Sequence, residues 1–346
     1  MIIINGRFLS QRLTGIQRFA YEICCALHQI GVPCIILAPT DICDEYDLAD
    51  LPVTVIGGKG SHFWEQVTLP IYMKRHHNGQ LLLSLSGLSP LWYHRNILTI
   101  HDISYLLKPR AYSHIYCLYY RLMTPLAAKR AQKIITVSRF SKGEIMQYLG
   151  VPENKIAVIY NAVRQTTLLP REKTDRYILT VGSLMPRKNI KRLLEAYCAL
   201  EQPDFDLYIA GGMHAAFADA EWSKYTDRKG VRFLGYVSGD VLTHLYRNAT
   251  AYISPSLYEG FGIPLVEAMT QECPLVVSDI PVFHEVCGKA AVYFNPLDIT
   301  DIQEKMNAVM HDEPLRRQLL EDGIHQAARF SWEQSAKEIA KLINEL

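Results

Sequence analysis

Thr250-Ala-Tyr-Ile-Ser-Pro-Ser-Leu-Tyr-Glu-Gly-Phe-Gly-Ile-Pro-Leu-Val-Glu267 reads as a strand, a glycine-lined turn and the opening of a helix. Thr250–Ser254 is a short apolar run of the kind that forms a buried strand. Gly260 and Gly262 follow the first carboxylate, and Pro264 suits a helix start, where a missing N–H costs nothing. The pattern therefore predicts Glu259 on a turn at a strand's end and Glu267 on the first turn of the next helix. Free backbone N–H groups and the positive helix end suit an anion such as a phosphate. Carboxylates beside such an anion suit the hydroxyl groups of a sugar or ribose. The plainer alternative is that both glutamates only favour the helix dipole.

A second turn of the same kind lies upstream. Gly182-Ser183-Leu-Met-Pro-Arg187-Lys188-Asn189 follows the apolar run Tyr177–Val181 and precedes a helical pattern from Ile190. In a doubly wound sheet both turns open on one edge, where ligands bind beyond the carboxyl ends of the strands. Two cations and two carboxylates are then expected to face one ligand.

Outward from these turns, apolar runs alternate with helical patterns almost throughout. Strands are expected at Ile2–Ile4, Pro33–Ala38, Val53–Ile56, Leu81–Leu85, Ile97–Ile100 and Lys133–Val137. A second set is expected at Tyr177–Val181, Leu207–Ala210, Val231–Leu234, Ala251–Ser254, Leu275–Val277 and Ala291–Phe294. Such alternation implies an α/β chain with parallel sheets and helices on both faces. Polar, aperiodic 166–176 reads as a linker between domains at 1–165 and 177–328, and 329–346 as a closing amphipathic helix.

Bulk properties exclude several classes. With 49% hydrophobic and 21% charged residues, the chain is globular rather than disordered. A net charge of +1 argues against general nucleic-acid binding. No apolar segment reaches the roughly 18 residues of a membrane span. Met1-Ile-Ile-Ile-Asn5 enters a strand without a basic leader, so no signal peptide is expected. The eight cysteines show no Cys-x-x-Cys spacing, which suits reduced thiols in a cytoplasmic protein.

The N-terminal half holds further candidates. Ile2–Ile4 leads through Arg7 to Thr14-Gly15-Ile-Gln-Arg18, where Gly15 would let backbone approach a phosphate and Arg18 would meet an anion; an ordinary turn fits as well. His101-Asp102 closes a strand, and a histidine there suits hydrogen bonding or acid–base work, although a structural histidine fits too. From Ile103 to Gly143 there is no Asp or Glu, while Lys108, Arg110, Arg121, Lys129, Arg130, Lys133, Arg139 and Lys142 are cationic. Tyr105, Tyr112, Tyr116, Tyr119 and Tyr120 are interleaved. A basic surface with aromatics would suit peripheral contact with anionic lipid or a pyrophosphate-bearing acceptor. Alternatively, the tyrosines are core and the charges a solvated face.

In this order the motifs resemble retaining glycosyltransferases of family 4. They are Thr14–Arg18, His101-Asp102, Val137–Lys142, Asn161-Ala, Gly182-Ser with Arg187-Lys188-Asn189, Ala210–Gly212, Phe233–Val237 and Glu259…Glu267. The Thr-Gly-Ile-x-Arg and Ile-His-Asp patterns are also similar to bacterial mannosyltransferases of polysaccharide assembly. The resemblance implies the GT-B architecture, two Rossmann-like doubly wound domains facing a deep inter-domain cleft. It implies a nucleotide-sugar donor on the C-terminal domain and a saccharide or lipid-linked saccharide acceptor on the N-terminal one. Arg187 and Lys188 would hold the diphosphate and offset charge on the leaving group. Glu267 would bond the ribose, and Glu259 with the Gly260-Phe261-Gly262 backbone would hold the donor sugar. Gly182 and Ser183 belong to the same donor site, and Gly235, Tyr236 and Val237 would meet the base. Gly15 would close on the phosphates, His101 would contact the donor sugar, and Arg18 and Asp102 would line the cleft. The family's closing helix crosses back to the N-terminal domain, as 331–346 is suited to do. Gln17 stands where relatives often carry glycine, which would restrict that loop's approach.

Nothing is obviously placed as a covalent nucleophile, so same-face displacement is expected, with the departing phosphate helping to deprotonate the acceptor. GDP-mannose is the first expectation for the donor and UDP-sugars the next. No metal or other cofactor is expected, since Arg187 and Lys188 supply positive charge. Asp204-Phe-Asp206 matches the letters of a metal-holding pair but precedes its strand, at the wrong end for the site. A nicotinamide dehydrogenase would need Gly-x-Gly-x-x-Gly after the first strand, and Asn5–Gln11 lacks it. A phosphorylase, an epimerase, or a non-catalytic nucleotide-sugar-binding partner of a polysaccharide complex would share the architecture. The joint presence of the two cations and two carboxylates argues against the last.

Overall fold

Two fully parallel sheets organise the chain, each built from short apolar strands that helices cover on both faces. The computed structural model describes residues 1–107, 112–164, 168, 170–172, 176–201, 203–212, 222, 225–226 and 228–346. The chain divides into one compact unit of 1–162 with 331–346, and another of 163–330. Much of the expected linker 166–176, like Lys108 and Arg110, lies outside the described residues.

The first unit contains β1 (Ile2–Asn5), β2 (Cys34–Ala38), β3 (Val53–Val55), β4 (Leu82–Ser84), β5 (Asn96–Thr99), β6 (Lys133–Thr136) and β7 (Ile156–Val158). Their order is β3-β2-β1-β4-β5-β6-β7. β1 lies between β2 and β4, with Ile3 opposite Ile35 on one side and Leu82 on the other. The central residues Ile3, Ile4, Leu82, Leu83, Ile97 and Leu98 are fully buried, as expected for parallel strands sealed on both faces. The closing helix Trp332–Asn344 packs within this unit on helix Gly15–Gln29. Its Trp332 ring meets Phe19 edge-on at 5.9 Å, and Ser335 Oγ donates to the Tyr160 carbonyl at 2.8 Å.

The second unit contains β8 (Tyr177–Val181), β9 (Asp206–Ala210), β10 (Val231–Gly235), β11 (Ala251–Ser254), β12 (Leu275–Ser278) and β13 (Ala291–Phe294). Their order is β10-β9-β8-β11-β12-β13. A core including Ile178, Leu193, Leu194, Tyr197, Leu207, Ile209, Ile253 and Met306 fills one face.

In both sheets the winding reverses beside the first strand of the unit: between β1 and β4, and between β8 and β11. Chains leaving those two carboxyl ends diverge to opposite faces and leave a crevice, so each unit has one built-in ligand edge. The twelve expected strands are present, with ends shifted by about a residue. β7 was not expected. Ile156-Ala-Val158 is three residues long and pairs on one side only, so it lacks the apolar run that marks a central strand.

Candidate functional site

At the edge of the second sheet, β8 delivers the turn 182–189 and β11 delivers 255–262. Because the strands are neighbours, the turns meet: Leu257 N–H donates to the Arg187 carbonyl at 2.8 Å. The conformation depends on two glycines. Gly182 has φ +154° and Gly211 φ +144°, and a Cβ on Gly211 would fall 2.2 Å from the Gly182 carbonyl oxygen. Asn189 takes the left-handed conformation to end the short turn Pro186–Lys188, and its amide donates to the Pro296 carbonyl at 2.7 Å.

That geometry brings Arg187, Lys188 and Glu259 together. Arg187 donates from Nη1 to Glu259 Oε2 at 3.0 Å, and Lys188 Nζ donates to Oε1 at 2.5 Å. Ser256 Oγ adds a third hydrogen bond, 2.8 Å to Oε1. Burial alone would push the Glu259 carboxyl up, but Lys188 and Arg187 outweigh it and hold the group down at about 2. These three side chains form a largely buried cluster with two positive charges against one negative.

The helix Ile263–Thr270 opens beside them. Gly262 sits before it at φ +101° and, being glycine, gives it no side-chain cap. The helix begins one residue before Pro264, so Glu267 is its fifth residue and not on the first turn as expected. Tyr246 fixes Glu267, donating from its hydroxyl to Oε2 at 3.0 Å. Burial and the adjacent carboxylate push the Tyr246 phenol well above its usual range, so it stays a donor. The helix-dipole reading of Glu267 therefore loses its basis. Phe261 is core, meeting Phe330 edge-on at 5.4 Å, so this turn offers only backbone from Gly260 to Gly262.

Ser183 and Gly182 are half-buried at the turn beside Lys188. Gly235 takes φ +65° at the end of β10, where Gly211 N–H donates to its carbonyl at 2.7 Å. The following Tyr236 is 84% exposed and Val237 half-buried. Asp204 and Asp206 stand at the opposite edge and are committed elsewhere. Asp204 pairs with Arg176 and His311, and Asp206 with Arg232.

In the first unit, His101 is buried just beyond β5 with its ring edge-on to Phe19 at 5.0 Å. Its Nε2 lies 2.9 Å from the Leu85 carbonyl, which requires a proton on Nε2 and leaves Nδ1 as the acceptor. Burial lowers its pKa more than Leu85 and Asp102 raise it, so the ring is neutral at pH 7. Asp102 accepts from Ser104 N at 2.9 Å and Ser104 Oγ at 2.6 Å. Gly15 is exposed at the first position of its helix, and Arg18 is half-buried one turn on. Gln17 bonds Gln11 Oε1 at 2.5 Å and Thr14, tying its side chain back onto its own loop.

Sequence reasoning missed a second charged cluster, at the β1/β4 edge. Glu65 is fully buried on the π-helical turn Trp64–Thr68. Arg7 Nη1 donates to its Oε2 at 3.0 Å and Asn5 Nδ2 to its Oε1 at 2.8 Å. Burial favours the protonated acid, but His62, Arg7 and Asn5 together hold the carboxyl below its usual value. No local spacing advertises Glu65; Arg7 following the first strand was the only signal.

The tyrosines of 103–143 are mostly turned inward. Tyr105 is buried, and Tyr112, Tyr119 and Tyr120 are half-buried. The outward row on helix His114–Arg130 is mainly aliphatic, Ile115, Leu118, Leu122 and Leu126, with Tyr116 also exposed.

Residues 169–326 match the family described as Glycosyl transferases group 1, and residues 13–166 match Glycosyltransferase Family 4. The chain belongs to glycosyltransferase family 4. It is therefore a transferase enzyme. It is 34% identical over 222 residues to the O-antigen chain mannosyltransferase RfbU of Salmonella typhimurium, covering 64% of this chain and 62% of that protein. It is 31% identical over 257 residues to O-antigen chain mannosyltransferase B of Escherichia coli, covering 69% and 67%. The match thus spans about two thirds of these relatives. WaaG, a glycosyltransferase of lipopolysaccharide biosynthesis, shares the fold at TM-score 0.76 and 16% identity over 99% of both chains. Anabaena HepE, solved with UDP and glucose, does so at 0.75 and 17% over 100% and 99%. The transferase therefore has the GT-B fold. Among the described residues, no helix is long and apolar enough to cross a membrane.

Proposed function

We propose that this transferase moves a hexose, read first as mannose from GDP-mannose, onto a saccharide or lipid-linked saccharide, with retention and without a metal. One observation carries the reading: Arg187, Lys188 and Glu259 converge at the β8/β11 crevice beside an uncapped helix end. A donor diphosphate competes with Glu259 for both cations, and these stabilise the charge that grows on it as the sugar leaves. Glu259, released from them, turns to the sugar hydroxyls with the Gly260–Gly262 backbone. Glu267, already oriented by Tyr246, takes the ribose. Gly182 and Ser183 lie against the phosphates, and Gly235, Tyr236 and Val237 meet the base.

In the first unit, His101 presents Nδ1 to the donor sugar while Gly15, Arg18 and Asp102 border the reacting groups. The glycosidic C–O bond to phosphate breaks as the acceptor oxygen bonds the same face of the anomeric carbon, and the acceptor proton passes to the leaving phosphate. Arg187 and Lys188 do the work a metal would do. The relatives named mannosyltransferases support mannose. The complex of HepE with UDP and glucose supports a UDP-sugar as the second reading.

The reading extends to a cytoplasmic enzyme resting on the inner face of a membrane. Ile115, Leu118, Leu122 and Leu126 would enter the interface, with Arg121 and Lys129 meeting anionic headgroups.

A thermal-shift screen of nucleotide-sugars tests the donor. GDP-mannose is expected to raise Tm most, since a ligand bound only by the folded state stabilises it. A larger shift with a UDP-sugar would replace the donor, and no shift with any nucleotide-sugar would remove the reading.

A further inference from the structure

The buried cluster at the β1/β4 edge has a composition that stability alone does not explain. Asn5, Ser84 and Glu65 are fully buried, and Arg7 is only 6% exposed. Taking an ion pair out of water commonly costs more than apolar side chains of similar volume would. This one also leaves Arg7 Nε buried without a hydrogen-bond partner. It occupies the one place in the unit where the winding reverses, and Glu65 is brought there by a π turn, a local irregularity that recurs at functional sites.

Outside the sealed pair stands His62. Its Nδ1 is buried and lies 3.9 Å from Glu65 Oε2, too long for a hydrogen bond but close enough for the charge to act. The ring leans on Tyr119 at 4.5 Å between centroids and meets Tyr120 edge-on at 6.0 Å. Yet the side chain is 40% exposed, and that exposure lies on atoms other than Nδ1. An imidazole offers a hydrogen-bonding nitrogen at Nε2 in either tautomer. The result is a partly exposed imidazole packed beside tyrosine rings. That pairing suits a pyranose, whose hydroxyls need fixed partners and whose C–H face packs on the negative face of an aromatic ring.

We infer that His62 contacts the acceptor saccharide, hydrogen-bonding one of its hydroxyls, and that Glu65 with Arg7 and Asn5 positions it. This rests on the transferase reading proposed above and gives its acceptor a binding group on the first unit. His62 lies on the surface side of the cluster, so its replacement leaves the buried pair intact, which an unchanged Tm would verify.

The test uses the full chain, the donor chosen by thermal shift, and methyl α-mannopyranoside as acceptor probe. His62→Ala is expected to raise the acceptor KM on the order of tenfold, the loss of one hydrogen bond, with donor KM and donor-induced thermal shift retained. His62→Gln, whose amide can hydrogen-bond the same hydroxyl, should recover part of that loss. Saturation-transfer NMR from the aromatic protons to the probe's ring protons should weaken in His62→Ala. An unchanged acceptor KM, or an equal rise in donor KM, overturns the inference while the donor shift still upholds the transferase reading. Absence of both transfer and saturation transfer to the probe in the wild type overturns the saccharide class. Failure of every nucleotide-sugar to stabilise the chain overturns both readings.

Discussion

The two crevices, β1/β4 and β8/β11, arise from the same winding and both bury a glutamate against an arginine, yet they are built for different ends. At β8/β11 the carboxylate and both cations come from the turns that the two strands themselves deliver. Arg187 and Lys188 stay partly open, with 19% and 15% of their side chains exposed. At β1/β4 the glutamate is brought in from a separate helix, and Arg7 is sealed over it. An open pair can exchange its partner for a ligand. A sealed pair can only hold its neighbours in place. Equal topology thus supplies the location, and exposure decides whether charge is offered or used as scaffolding.

The contrast can be broken at its strongest point first. Lys188→Ala should lower kcat of transfer by about 10³-fold, the scale of removing one preorganised charge contact from a transition state. A near wild-type rate would strip the β8/β11 cations of their leaving-group role. Next, Glu65→Ala should cost about 3–5 kcal/mol in urea unfolding, because Arg7 stays buried without its counter-charge. Glu259→Ala should cost less, since Arg187 and Lys188 can turn to water. Equal losses would erase the distinction between open and sealed pairs.

A smaller effect lies in pH. Glu259 sits at about 2 in the folded chain against an ordinary 4.5. A lowered pKa means that the unfolded chain binds the proton more readily. The stabilisation is therefore complete above pH about 4.5 and is lost as pH falls toward about 2, amounting to ~3 kcal/mol. The stability gap between wild type and Glu259→Gln should close across that window, and a gap independent of pH would mean that Glu259 is not ionised. The smallest expected effect is none: EDTA should leave turnover unchanged because side chains supply the positive charge. A strict magnesium requirement would contradict that.

Much of the second unit was legible because its chemistry is local. Gly182, Gly211 and Gly262 mark positions of positive φ, apolar runs end directly at the turns, and the charges sit within those turns. The error at Glu267 was one of register. Proline favours the first helical position, but Gly262 lets the helix open at Ile263, and the glutamate passes beyond the first turn. The first unit was read less well. The tyrosines between 105 and 120 fit either a surface or the core, because charge density carries no helical phase; the phase turns most of them inward and sends Ile115, Leu118, Leu122 and Leu126 out. Glu65 could not have been found, as 58 residues separate it from Arg7.

The order of apolar runs, glycines and charges was enough to establish two doubly wound units, the family, and the turns that carry Arg187, Lys188 and Glu259. These follow from short-range physics: burial of β-branched runs, φ at glycine, and the free N–H groups of a helix start. Which charges meet, which are sealed, and which face of a helix sees water was decided only by the tertiary structure. Pairing across a sheet depends on strand order, and exposure depends on what packs above a residue, and neither quantity is written in the neighbours of a residue along the chain.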